Sequence, residues 1–561
     1  MSSKTVVCAL LTLLAASTAC HRKVSGTPPR EVVAGLEQRV QGAAPPYLGQ
    51  DDQGNHVWKD VQRFYKLNAY RPAWSTGRRL SGEAAELVEA VKSATGEGLD
   101  PAAYDLTPVA VLRTESSHNP FKKDSLKAQE ATELDIRLTS AFLKYARHLL
   151  MGRVDPGEVD PHWFSSTSRQ VDPVNLLRQA QESGNIQATL QSLAPQHPEY
   201  AALKQALARY RGIAAHGGWP VLPERLSLRK GSRDPAVATL RARLAAEGDL
   251  PPASATAGEQ TLYDAAVAEG VRRFERRHGL KDDGVVDREV VAAMNVPVDR
   301  RIADLELNME RWRWLPEKLG DRHIIVNIPT FELTVFESGG PALSMRVVAG
   351  KEDSPTPIFS DEMTEIVFSP YWNIPTSILR HETLPAILRD PGYLERNDLE
   401  VVRAGKVVDP SRIDWSDDDF RYQVRQRPGA KNSLGLVKFL FPNQFDVYLH
   451  DTPADSLFAR NERDFSHGCV RIEKPEELAE YVLKDQPAWS RDKIVAAMHS
   501  GREQHVALKH PIPVYIVYET AWAAPDGAVN FRDDIYGHDA AQAKLLPHAA
   551  PSPAAQVAQA N

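Results

Sequence analysis

Cysteine is scarce in this 561-residue sequence: there are three, and Cys8 and Cys20 both fall within the first twenty positions. Beyond them only Cys469 remains, so a disulfide framework inside the mature fold is excluded unless it consumes that thiol, and stability has to come from packing. Long apolar runs are missing as well. The longest candidate, Val6 to Ala16, follows Lys4 and leads into the small residues Ser17-Thr18-Ala19 before Cys20; this is the layout of a signal peptide (residues 1–19) and is too short for a comfortable membrane span. Export is therefore the expectation. Cys20 is a candidate lipidation site, set against simple cleavage after Ala19 because Ser17 stands where a large aliphatic residue is usual, and membrane attachment is expected only with that lipid. Excess positive charge is lacking too: the net charge is −7, which recommends no nucleic acid, and the run Arg272-Arg273-Phe274-Glu275-Arg276-Arg277 reads as one solvated helix face.

What is present is a thiol in a telling place. Cys469 sits in Ser466-His467-Gly468-Cys469-Val470-Arg471, 19 residues after His450 in Tyr448-Leu449-His450-Asp451-Thr452. In Phe445-Asp446-Val447-Tyr448-Leu449-His450 apolar and polar residues alternate, so a half-buried strand over 445–450 would put Tyr448 and His450 on one face. Thiolate rather than thiol attacks carbonyls, and an imidazole within reach lowers the thiol pKa or takes its proton. His450 is then the base and Cys469 the nucleophile, with Tyr448 flanking the base. Gly468 permits the turn and close substrate approach, and the backbone N–H groups of Gly468 and Cys469 are the expected oxyanion donors.

Three other readings are weaker. A cysteine after His-Gly in a Ser/His/Gly-rich turn is poorly placed for a core. Zinc held by His450, His467 and Cys469 is disfavoured because one residue separates the last two and no His-Glu-x-x-His occurs, so no metal and no cofactor are expected. In papain-like peptidases the cysteine precedes its histidine, the reverse of the order here. His467 is open to orienting the loop, assisting as a second base or packing, with the loop role favoured because His450 is strand-borne.

His450, fifteen intervening residues and then Ser-His-Gly-Cys-Val-Arg resemble the signature of the L,D-transpeptidase (YkuD-like) catalytic domain. Asn308-Met309-Glu310-Arg311-Trp312-Arg313-Trp314-Leu315-Pro316, Tyr371-Trp372-Asn373-Ile374-Pro375 and Asn432-Ser433-Leu434-Gly435 to Lys438-Phe439 resemble its large, periplasmic, lid-bearing subgroup, over roughly residues 50 to 540. The resemblance implies a thioester enzyme of cell-wall biogenesis that joins peptidoglycan tetrapeptide stems, as donor and acceptor, into 3→3 crosslinks, and that carbapenems acylate. A hydrolase using the same thioester and a binding-only wall protein are the alternatives, and other wall-synthesis enzymes are candidate partners. Trp372 and Tyr448 would line the donor groove, and Ser466 is a further substrate-binding candidate; Arg471 is open between holding a substrate carboxylate and supporting the loop.

A chain this long needs several cores. Residues 20–45 are Pro, Gly and charge rich and read as a linker; 46–220 carry helical stripes such as Leu134, Leu138, Phe142, Tyr145 and Leu149 and resemble a helical scaffold domain, with Phe64, Tyr65, Tyr70 and Trp74 as core. Residues 226–296 hold two stripes, Val237-Leu240-Leu244 and Val267-Val271-Phe274, then Asp283-Gly284-Val285-Val286-Asp287, and resemble a three-helix peptidoglycan-binding bundle. Strand alternation begins at 322, so 322–375 and 445–520 are expected to form a β-sandwich-like catalytic domain, with 376–444 as an inserted lid and 521–561 as a tail disordered at its end. The whole is expected to be a multidomain α+β protein.

Overall fold

A computed structural model describes residues 28–49, 51–76, 79–109, 126–163, 171–251, 260–390, 392–415 and 421–546. Residues 1–27, where the signal peptide and the lipidation site Cys20 are expected, and residues 547–561 lie outside them. The chain divides into two compact units, one built from residues up to 93 with 101–146 and 171–191, the other from 94–100, 147–170 and 192 onward.

Among the described residues the first unit is helical apart from a pair of two-residue strands, Ser75–Thr76 with Arg79–Leu80. Its first helix, Arg30–Val40, buries Val32, Leu36 and Val40, so part of the stretch expected to be a linker is a packed helix; its apolar residues recur at a helical interval among charged ones, which composition alone concealed. Asp51 caps the next helix, Asp52–Leu67, by accepting from Gly54 N at 2.7 Å. Phe64, Tyr65 and Trp74 are fully buried, as core aromatics should be. They surround Asp135, which accepts from Tyr65 Oη (2.7 Å), Ala73 N (2.7 Å) and Trp74 N (3.0 Å). Burial raises that carboxyl to about 6.

The second unit contains the three-helix bundle, Ala236–Glu247, Ala265–Arg277 and Arg288–Met294, closed over Val237, Leu240, Leu244, Val267, Val271 and Phe274. A helix follows, Val298–Trp312, whose last turn is almost wholly buried. Asn308 exchanges hydrogen bonds with Thr520, donating to Oγ1 and accepting from N at 3.0 Å each, and Arg311 pairs with Asp539 at 2.6 Å. Glu310 accepts from Val154 N and from Arg313 at 2.6 Å. Gly152, at φ +83°, passes so close to Glu310 that a Cβ would collide with its carboxylate. The Asn308-to-Trp314 motif thus ties helices to the sheet.

Among the described residues nine strands form the main sheet, with Asp464–Ser466 added beside Gly340–Gly350. Arg322–Asn327, Glu332–Glu337 and Gly340–Gly350 run as a meander, and Glu332–Glu337 pairs with both neighbours. Continuing round through Val470–Ile472, Leu449–His450, Val437–Leu440, Ser360–Phe368 and Gln504–Val517, the sheet returns to Arg322–Asn327. The β-sandwich-like domain is therefore one sheet curled shut, with Ile324, Val326, Val347, Ile366, Phe439, Leu449 and Val470 inside. Helix Pro475–Leu483 packs its Leu478, Ala479 and Val482 against this core.

The insertion has its own core, Ile374, Leu379, Ile387, Val401 and Val424, and its own four-stranded sheet in the order Trp372–Asn373, Gln423–Gln426, Leu399–Arg403, Lys406–Val408. The boundaries expected at 376 and 444 shift accordingly. Trp372–Asn373 belongs to the insertion, while Val437–Leu440 belongs to the main sheet, its alternation of buried Val437 and Phe439 with Lys438 having been absorbed into the supposed lid. Residues 521–546 are not a loose tail: a hairpin, Ala521–Ala523 with Val529–Phe531, and a helix, His538–Leu545, are packed in place.

Candidate active site

The parallel pairing of Leu449–His450 with Val470–Ile472 sets the site: Leu449 lies beside Val470 and His450 beside Arg471. Side chains alternate along each strand, so Leu449, Val470 and Ile472 enter the core while Tyr448, His450, Cys469 and Arg471 share the opposite face. Lys438, paired with His450 from the other side, joins them. The strand expected over 445–450 is shorter than its alternation suggested, because Asn443 folds the preceding residues into a turn. Its Oδ1 accepts from Phe445 N and Val447 N, and its Nδ2 donates to Val447 O at 2.7 Å. This turn holds Asp446 at φ +55°, and the Cys469 Sγ lies 3.8 Å from the Asp446 carbonyl oxygen.

The cysteine loop is pinned from both sides. Ser466, only 2% exposed, donates from Oγ to Cys469 O at 2.5 Å and accepts from Gly468 N at 3.1 Å. Thr356 Oγ1 donates to Gly468 O and accepts from Gly350 N, both at 2.9 Å. Gly468 has φ +111°, where an L side chain is strained, although a Cβ would find space, so the glycine is there for conformation rather than for room. Two expectations change. Ser466, a substrate-binding candidate, is an internal brace of the loop, and the Gly468 N–H is engaged by it. The Cys469 N–H, which has no hydrogen-bond partner among the described residues, is the backbone donor left for an oxyanion.

His450 is buried, 4% exposed, and its Nδ1 lies 2.5 Å from Asp451 O. A carbonyl only accepts, so Nδ1 carries the hydrogen and Nε2 keeps its lone pair. Burial above all, with the charges of Arg471 and Lys438, depresses its pKa to about 3 and keeps the ring neutral. Asp451 is braced in turn, accepting from Leu436 N and Thr452 N at 2.7 Å each, and Gly435 (φ +59°) leaves the space its carboxylate fills. The Cys469 thiol is half-buried, and burial pushes it up against the opposing pull of Tyr448 and Arg471. No hydrogen bond links His450 to Cys469 among the described residues. They share one face a register step apart, as a neutral thiol and a neutral imidazole, a separation that substrate binding commonly closes.

Arg471 has its guanidinium in this face, pushed down by burial, with Nε unpartnered. Tyr448 stands 5.8 Å, ring to ring, from His450, with Lys438 Nζ 5.9 Å from its ring centre. Trp372 pairs with Gln426 in the insertion's sheet and packs against the insertion's own core. His467 is exposed, and its Nε2 meets Glu382 Oε1 at 2.8 Å. Glu382 sits in a π-helical turn, Leu379–Thr383, inside the insertion's helix. Sequence reasoning missed Glu382, which no spacing marks, and passed over Lys438, which its place between two buried apolar residues did signal. Among the described residues no group of three His, Cys, Asp or Glu side chains is arranged to hold a metal.

Three family models match the chain: a scaffold domain over residues 59–207, a "Putative peptidoglycan binding domain" over 233–294 and an L,D-transpeptidase catalytic domain of the YkuD family over 321–495. A "Putative L,D-transpeptidase" of Haemophilus influenzae is 36% identical over 240 residues, which is 42% of this chain and 48% of that protein, so the match spans about half of the relative's length. An L,D-transpeptidase structure from Mycobacterium smegmatis aligns at 16% identity over 35% of this chain and 58% of its own, with a TM-score of 0.19. One from Xylanimonas cellulosilytica aligns at 14% identity over 53% and 98%, with a TM-score of 0.16.

Proposed function

Because the chain carries an L,D-transpeptidase catalytic domain of the YkuD family together with a peptidoglycan-binding domain, we propose that it joins peptidoglycan stems through a thioester on Cys469. The observation that carries this reading is the single sheet face holding Cys469, His450, Tyr448 and Arg471. The thiol proton passes to His450 Nε2 as sulfur adds to the carbonyl of the third stem residue, a diaminopimelate. The oxyanion is met by the Cys469 N–H. The imidazolium so formed is a strong acid in its buried setting, and it protonates the departing nitrogen of the terminal D-Ala as the C–N bond breaks. The side-chain amine of a second stem's diaminopimelate then attacks the thioester, its proton goes to His450, and the thiolate leaves to recover the proton, giving a 3→3 crosslink.

Arg471, with an unpartnered Nε beside the thiol, is suited to a stem carboxylate. The insertion reaches the cysteine loop through Glu382 and His467, which supports a role in keeping water from the thioester. The layout of residues 1–19 supports action in the periplasm, and Cys20 is the site where a lipid would anchor the chain. Mass spectrometry of the protein incubated with disaccharide tetrapeptide tests the chemistry. Expected are an acyl adduct on Cys469, release of D-Ala and a crosslinked dimer; D-Ala release without an adduct on that thiol sinks the mechanism.

A further inference from the structure

His450 stands in a row of three basic side chains drawn from three adjacent strands. The register pairs Arg471 with His450 and His450 with Lys438, so the imidazole has a cation on either side of it on one sheet face. The strand order is fixed. Val470–Ile472, which continues directly from Cys469, comes first, Leu449–His450 second and Val437–Leu440 third, at about 4.8 Å from one strand to the next.

Neither cation is neutralised by the protein. Among the described residues Arg471 and Lys438 make no ion pair, Arg471 Nε is unpartnered, and Lys438 Nζ makes no hydrogen bond. The two carboxylates whose charge reaches Lys438 are engaged by other groups. Glu503 accepts from Tyr371 N at 2.9 Å and lies 3.7 Å from His505, which meets Glu365 at 3.0 Å. Lys438 is half-buried, flanked along its strand by the wholly buried Val437 and Phe439, and that burial pulls its pKa down. A lysine turned to open water would avoid the penalty. This one is held where a carboxylate brought from outside the protein can pair with it.

The strand order also says which carboxylate. During acylation the sulfur of Cys469 bonds to the carbonyl carbon, the thiol proton passes to His450 Nε2, and the C–N bond breaks as that proton reaches the departing nitrogen. The reacting carbon therefore belongs to the first strand and the departing nitrogen to the second. In an α-amino acid the carboxylate carbon lies two bonds beyond the nitrogen, so the same direction leads it to the third strand, where Lys438 stands. Arg471, on the thiol's own strand, faces the part of the stem that stays on the enzyme. The Tyr448 ring, 5.8 Å from the His450 ring and 5.9 Å from Lys438 Nζ, adjoins both and offers an apolar surface to the methyl of the departing alanine.

We infer that Lys438 is a specificity-determining residue, which pairs with the α-carboxylate of the departing D-Ala so that the enzyme reads the free end of its donor. The inference rests on the reading of the protein as a stem-joining enzyme and adds a criterion of length to it. A stem that stops one residue after the scissile bond presents this carboxylate; a longer stem presents an amide there and leaves the ammonium unpaired. Once the alanine has left, Lys438 has no further part, so it governs acylation and not the capture of the thioester by an amine.

The test uses the full-length protein and two synthetic tetrapeptide stems, one ending in D-Ala and the other in D-alaninamide. Release of the terminal residue, followed by chromatography, gives kcat/KM for acylation, and intact-protein mass spectrometry reads the adduct on Cys469. The wild type should favour the acid about tenfold or more, and Lys438→Met should reduce that preference to about twofold or less. Removing Lys438 also removes a charge beside His450, but an effect through the base is common to both stems and cancels in the ratio. An acid-to-amide ratio near one in the wild type, or a preference that survives Lys438→Met, overturns the assignment while the Cys469 adduct upholds the reaction. Absence of an adduct from either stem overturns the stem-joining reading, and the assignment with it.

Discussion

Two buried histidines, one in the three-helix bundle and one on the curled sheet, are nearly matched in their immediate bonding. His278 Nδ1 lies 2.8 Å from Phe274 O and His450 Nδ1 lies 2.5 Å from Asp451 O, so each ring is fixed in the tautomer that leaves Nε2 with a lone pair. Burial depresses both pKa values. The difference is in the surroundings. His278 is stacked 3.8 Å from the Phe274 ring and serves the packing between bundle and C-terminal hairpin, whereas His450 faces Arg471 and Lys438 on the thiol's own side of a strand pair. Burial and tautomer make a histidine available as a base; a nucleophile on the adjoining strand gives it a proton to take.

The sharpest way to break that contrast is to remove the nucleophile. Cys469→Ala should reduce crosslinked product by on the order of 10³-fold or more while the circular dichroism and melt stay near those of the parent. Next, His450→Gln should cost about 10²–10⁴-fold in rate on soluble stems. His278→Gln should leave that rate within about twofold and show its effect in the melt instead, by about 1 kcal/mol. If the two variants lose rate equally, the distinction between them is wrong.

A third comparison is in acid. An unfolded chain binds a proton on each histidine near the ordinary value of 6.5, while the folded protein holds both rings neutral well below it, His450 to about 3. Since the unfolded state takes up protons first, the contribution of each ring to stability is complete above about pH 6.5 and is lost as pH falls below it, by up to about 1.4 kcal/mol per pH unit per ring. Urea unfolding between pH 7.5 and 4.5 should become shallower in pH when either histidine is replaced by glutamine. An unchanged slope for His450→Gln would mean that the ring is not held neutral.

The smallest expected effect is at the insertion. Glu382→Gln should alter the crosslinking rate only about two- to threefold, because the pair is solvent-exposed, and it should raise the fraction of hydrolysed stem. Product ratios by chromatography of digested muropeptides measure it. A ratio unmoved by Glu382→Gln and by His467→Asn would confine that contact to packing.

The features legible in the sequence are the ones written in local order. The thiol loop, the histidine 19 residues before it, the bundle's two stripes and the strands from 322 to 350 each occupy a short window whose periodicity or spacing has one good physical solution. The features that escaped depend on register and on distant partners. Ser466 was assigned to substrate binding, but whether a residue near a nucleophile faces in or out depends on which strand its loop lies against. The motif around Trp372 gave no sign that it is the first strand of a second sheet, because its partner, Gln426, lies more than fifty residues on. Helix Arg30–Val40 was lost because proline and charge around it outweighed three apolar residues, and Lys438 because its strand was counted with the insertion.

The insertion begins and ends on strands that are direct neighbours: Phe368 is paired with Val437, Ser369 N donates to Leu436 O at 2.8 Å, and Asn432 Nδ2 donates to Pro370 O at 2.9 Å. Topologically the whole excursion is therefore the loop of an antiparallel hairpin. Since the entropy of closing a loop grows only slowly with its length, the two strands can meet almost as readily with the insertion as with a tight turn, and the strand order round the barrel does not depend on when the insertion folds. The catalytic sheet and the insertion can thus accept changes in length largely independently, as long as the register at Phe368 and Val437 and the contact of Glu382 with His467 are kept.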